Sequence, residues 1–97
     1  MAKGYWLIAW KSVSDPSAVE RYVAPATEAI VAHGGRVVIA AVPEKVYESG
    51  LPSRTVLVEF ESLDAAIAAY ESADYQATLV HLKGKAERDV RIVEGIE

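Results

Sequence analysis

Apolar positions along this chain recur with two different periods. From Gly4 to Val13 (GYWLIAWKSV) aromatic and branched residues dominate, which is the composition of a strand. Both of its faces are apolar: Tyr5, Leu7 and Ala9 on one side, Trp6, Ile8 and Trp10 on the other. A strand with one wet face alternates apolar with polar residues, so this one calls for a cover on each side. The period then lengthens. Asp15-Pro16 supplies a carboxylate cap and a first-turn proline whose missing N–H is not needed there. Val19, Val23, Ala26 and Ile30 follow at helical spacing, and Gly34-Gly35 ends the run. Pro25 is expected to kink or split this helix.

Strand spacing returns at Arg36–Val42 and at Thr55–Glu61, with a short extra strand expected over Val46–Glu48. In the Thr55–Glu61 segment Val56, Val58 and Phe60 share one face, Leu57 and Glu59 the other. Ser62 caps a helix whose apolar side is Leu63, Ala66, Ile67 and Tyr70, with Asp64 in the first turn, where the helix dipole favours negative charge. Ser72 caps a second, shorter helix carrying Asp74 in its first turn and Tyr75, Leu79 and Leu82 as its stripe. Gly84 ends it, and Val90–Glu94 reads as the last strand. The order is βαββαβ with the second helix in two pieces. Two such halves interleave into a four-stranded antiparallel sheet with the helices on one face, an α+β ferredoxin-like fold. Helices cover only one side of that sheet. Large apolar residues left in water on the other would each forgo roughly 1.5–3 kcal/mol of burial, so a homodimer, sheet against sheet, is the expected closure.

Composition narrows the picture. A length of 97 residues predicts a single domain spanning 1–97. Hydrophobic residues make up 52%, slightly high for a soluble domain, in keeping with a buried subunit interface. The net charge of −4 with interspersed signs offers no basic stripe for phosphates, so nucleic acid is not expected as a partner. The absence of cysteine removes thiol catalysis and thiolate metal sites, and two histidines on separate elements give no metal-ligand spacing. No cofactor motif is present: Gly34-Gly35 follows a helix instead of opening one. No run is long enough to span a membrane, and a cytoplasmic protein is expected.

The candidate chemistry lies near the second helical pair. Glu59, a carboxylate in an apolar strand, must be paired or have its pKa raised; it reads as a general base or as one half of a salt bridge with Arg36, Arg54 or Arg91. Arg54 can hold a carboxylate substrate by a bidentate pair, or partner Glu59. His81 has the ordinary pKa for proton transfer near neutrality, or is a helix-terminal cation. Tyr70, Tyr75 and Tyr5 can donate to a ligand carbonyl, or simply pack. The expected pocket lies between helices and sheet, with Tyr70, Tyr75 and His81 as its lining and Arg54 and Glu59 below. His81 and Glu59 are the catalytic candidates, and Arg54, Arg36, Tyr70 and Tyr75 the substrate-binding ones. The competing expectation is a non-catalytic module whose charges are all paired and which has no cavity.

Lys3-Gly4-Tyr5-Trp6, Gly34-Gly35-Arg36, Arg54, Glu59-Phe60, Ser62, Ala66, Tyr70, Ser72, Tyr75-Gln76 and Val93-Glu94-Gly95 together resemble the domain of unknown function 1330 family over nearly the whole chain. Ala69 stands where that family usually has an aromatic residue, and His81 where many members have arginine. The resemblance implies a dimeric α/β barrel built from ferredoxin-like units, and it implies no established reaction. Related dimeric barrels include cofactor-free monooxygenases and muconolactone isomerase-like enzymes, a kinship of fold alone. A small organic acid or phenol is the ligand class expected on that analogy.

Overall fold

The computed structural model describes residues 2–97. The elements run β1 (Gly4–Val13), α1 (Pro16–Ala32), β2 (Arg36–Ala41), β3 (Thr55–Phe60), α2 (Leu63–Glu71), α3 (Ala73–Thr78), a 3-10 turn (Leu79–His81) and β4 (Ala86–Glu94). The strands form one antiparallel sheet in the order β2-β3-β1-β4. The fold is therefore α+β and ferredoxin-like, as the element order predicts.

Caps set the helix boundaries where the sequence puts them. Asp15 Oδ1 accepts from Ser17 N at 3.1 Å, Ser62 Oγ from Ala65 N at 3.1 Å, and Ser72 Oγ from Tyr75 N at 3.3 Å. Ser72 also donates to Ala69 O at 2.6 Å, so one hydroxyl closes α2 and opens α3. Gly34 ends α1 with φ +81°, a conformation that glycine adopts without strain.

The helices pack on the even-numbered face of β1. Trp6, Ile8 and Trp10 are buried there with Val58, Phe60, Tyr75 and Leu82. Trp6 is fully enclosed, and its indole Nε1 donates to Ala66 O at 2.8 Å, fixing α2 to the sheet. The odd-numbered face, with Tyr5, Leu7 and Ala9, stays open. Trp6 and Trp10 therefore both pack inside the subunit.

Several local expectations are corrected. Pro25 does not split α1, which is continuous over its 17 residues; proline removes only one ladder donor. The buried stripe of α1 is Ala18, Tyr22, Ala26, Ala29 and Ile30, one position round from the expected line, and Val23 is exposed. On α2, Ala66 and Ala69 are buried and Ile67 is exposed. No strand forms at Val46–Glu48, because Glu48 turns left-handed at φ +54° and interrupts the extended run. The last strand starts four residues earlier than expected, at Ala86.

Candidate functional site

Alternation along β4 sends Ala86, Arg88, Val90 and Ile92 toward the helices, where the three apolar ones pack on the core. Arg88 is the exception in that series. Register places it directly across from Trp10 on β1. Its guanidinium carbon lies 5.2 Å from the ring centroids of both Trp10 and Tyr22, a distance at which the ring faces attract the cation. Arg88 Nη1 donates to the Tyr22 hydroxyl at 3.1 Å, and Nη2 to the Tyr75 hydroxyl at 3.4 Å. The two phenols lie 2.5 Å apart, oxygen to oxygen. Helix α1, helix α3 and strand β4 thus meet at one polar cluster. Burial first, and then the neighbouring Tyr75, push the Tyr22 phenol above its ordinary pKa against the opposing pull of Arg88. Tyr22 therefore stays protonated near neutrality.

Above this cluster, between α1 and the sheet, is a cavity of about 450 Å³. Ile8, Val19, Ala26, Ile30 and Val58 form apolar walls, and Trp10, Tyr22 and Arg88 contribute the polar side. Arg54 and Glu20 also line it, and both are exposed. Among the described residues neither Arg54 nor Arg88 has an ion pair with a carboxylate. The Trp10 indole Nε1 is buried and has no hydrogen-bond partner among the described residues. Cavities of this size with apolar walls and a few converging polar groups are the usual form of a small-molecule site.

The structure separates the expected site residues into groups. Arg54 lines the cavity. Tyr75 is fully buried and reaches the cavity only through Tyr22 and Arg88. Tyr70 packs on Trp6 and Tyr75, with ring centroids 5.5 and 5.2 Å away. His81 lies across α1 from the cavity, in a separate groove with Pro25, Glu28, Asp74 and Thr78. Glu59 sits on the open face of the sheet with Lys3 Nζ and Arg36 Nη2, each at 3.4 Å. Desolvation raises its pKa, but Lys3 and Arg36 outweigh that and leave it below the usual carboxylate range. Of its three proposed partners only Arg36 pairs with it; Arg91 instead forks onto Asp89 at 3.1 and 3.3 Å. Glu59 and Arg36 thus form an ion pair, and neither they nor His81 converge on Arg54.

Sequence reasoning missed Tyr22, Arg88 and Trp10 as site residues. Arg88 carried a readable signal, because it falls in the inward phase of Val90 and Ile92 once the strand is extended backwards. Tyr22 lies four residues before Ala26 on α1, but Val23 drew the stripe away from it.

The family model described as "Domain of unknown function (DUF1330)" matches residues 3–96. The chain belongs to that family. No curated protein matches this DUF1330 chain. Among solved structures, a protein of unknown function from Rhodopseudomonas palustris is similar at 13% identity and TM-score 0.68, with 99% of this chain and 84% of that one covered. A dimeric ferredoxin-like protein of unknown function from Thermobifida fusca is similar at 13% identity and TM-score 0.65, covering 98% and 92%. SnoaB, a cofactor-independent oxygenase from Streptomyces nogalater, is similar at 11% identity and TM-score 0.58, covering 99% and 93%. At such identities the likeness is one of fold.

Proposed function

We propose that this DUF1330 protein is a homodimer, each subunit of which binds a small organic acid or phenol in the cavity between α1 and the sheet, with no bound metal or cofactor. The observation that carries the reading is Arg88: a half-buried guanidinium that meets two phenols and two aromatic rings, has no carboxylate partner among the described residues, and borders an apolar cavity together with Arg54. A purely structural module accounts for Glu59, which is paired, but not for this cavity. The proposal extends to catalysis. Donors directed at a developing oxyanion stabilise it most where water is scarce, and proton loss from a phenol, or from carbon beside a carbonyl, creates such an oxyanion. Glu20 is the one carboxylate among the residues lining the cavity and takes the role of proton acceptor. The similarity in fold to a cofactor-independent oxygenase supports this extension by analogy.

The dimer half of the proposal rests on the open sheet face. Leu7, Leu57 and Ile39 align across adjacent strands there, with Tyr5 and Val93 one row away. Leu7 is 40% exposed and Ile39 44%. Both charge signs flank them, in the Lys3–Glu59–Arg36 and Arg91–Asp89 groups. A patch of that kind is self-complementary about a two-fold axis. Light scattering at micromolar concentration should give twice the chain mass, and Leu7→Glu should halve it; a monomeric parent protein refutes this half. A thermal-shift panel of small carboxylic acids and phenols tests the other half. Native-state binding must raise stability, so no shift anywhere in the panel refutes it.

A further inference from the structure

The cavity is rich in donors and poor in acceptors. Arg88 has five N–H groups and no lone pair to offer. Two of those donors go to Tyr22 and Tyr75. The two phenols carry two O–H groups, and only one of these can occupy the bond between them. Because arginine cannot accept, the second has no acceptor among the described residues. Its position follows from burial. Tyr75 is fully enclosed, whereas Tyr22 lines the cavity. Were Tyr22 to donate to Tyr75, an unpaired O–H would be shut inside the core, an arrangement that native proteins avoid. Tyr75 therefore donates to Tyr22, and Tyr22 donates into the cavity. The Trp10 indole N–H, enclosed beside this pair, has no partner among the described residues, while other atoms of Trp10 line the cavity.

We infer that the Arg88–Tyr22–Trp10 cluster seats the anionic head of the ligand, and that the ligand is a carboxylate with an apolar body in preference to a neutral phenol or amide. The inference rests on the small-molecule reading above and narrows it. A carboxylate supplies two oxygens and about four acceptor sites with no hydrogen of its own, which matches a cluster whose remaining free groups are donors. Its body then lies along Ile8, Val19, Ala26 and Ile30. Arg54, exposed at the rim, draws anions in but is screened by water and salt, so discrimination falls to the half-buried Arg88.

The test compares benzoate, cyclohexanecarboxylate and 2-naphthoate with their primary amides, and with phenol and 2-naphthol, by calorimetric titration of the wild-type protein at pH 7. At least one acid should bind about tenfold or more tightly than its amide. Arg88→Met and Tyr22→Phe should collapse that ratio, and Arg54→Met should lower it less. Should Arg88→Met fail to fold, the wild-type indole N–H resonances locate the head independently. Trp6 Nε1 is committed to Ala66 O and should stay in place while the Trp10 signal moves on adding the acid. Amides that bind as well as the acids overturn the anion inference and leave the small-molecule reading standing. Acids that bind without moving the Trp10 signal overturn the assignment to this cluster. Failure of acids, amides and phenols alike overturns both readings.

Discussion

Hydroxyl removal at the tyrosine pair should be asymmetric. Tyr75→Phe deletes the inner oxygen. Tyr22 then keeps its 3.1 Å bond from Arg88, and on the donor order inferred above its own O–H remains directed at the cavity that Tyr22 lines. The net loss is that of the bond between the phenols and of the long 3.4 Å contact from Arg88, together about 1 kcal/mol. Tyr22→Phe deletes the bridging oxygen. Tyr75 is then left fully buried with an O–H that has no acceptor and with only the 3.4 Å contact from Arg88. Stranding a buried donor raises the loss to about 2–3 kcal/mol. For a chain of this length each kcal/mol moves Tm by about 4–8 °C, so the expected drops are about 4–8 °C for Tyr75→Phe and about 8–24 °C for Tyr22→Phe. Scanning calorimetry and urea unfolding followed by tryptophan fluorescence, all at one protein concentration, read both. The double variant should lose less than the sum, by about 2–3 kcal/mol, because the two single changes break the same bond and the double change leaves no stranded hydroxyl. If Tyr75→Phe proves as damaging as Tyr22→Phe, the donor order from Tyr75 to Tyr22 to cavity is wrong, and the case for an acceptor-only ligand falls with it.

Other outcomes follow from the same geometry. Gly4→Ala places a Cβ 2.3 Å from Ser62 O and 2.7 Å from the Leu63 Cα; with backbone on the far side nothing can rotate away, and a loss above about 2 kcal/mol in urea unfolding is expected. Ser72→Ala removes the hydroxyl that joins α2 to α3 and should lower stability by about 1 kcal/mol, with disturbed Tyr75 resonances showing that the joint had moved. Lys3 and Arg36 hold Glu59 at a depressed pKa, so the folded state binds that proton less tightly than the unfolded chain does. Its stabilising effect is complete above the unfolded pKa of about 4.3 and disappears as pH falls through the folded value; Glu59→Gln should flatten that acid limb, and an unchanged limb would refute the pairing.

The fold was readable because its determinants are local. The alternation in β1, the serine hydroxyls at positions 62 and 72, and Gly34 each act within a few residues of themselves. Even the open sheet face followed from strand one alone, although only packing could decide which of its two faces the helices would take. The site was not readable in that way, because its contacts cross the chain: Tyr22 meets Tyr75 across 53 positions and Arg88 across 66. Glu59 drew attention as the odd charge in an apolar strand, yet two cations on the open face satisfy it. Arg88 is the odder residue. It occupies an inward position of β4 between Ala86 and Val90, where a cation is partly desolvated and, among the described residues, no carboxylate pairs with it. Burying such a charge is unfavourable unless something answers it. Two phenols and an indole face do so only in part, since none of them carries a negative charge near neutrality. The remaining imbalance is a property of the fold itself, and a bound anion is what would remove it.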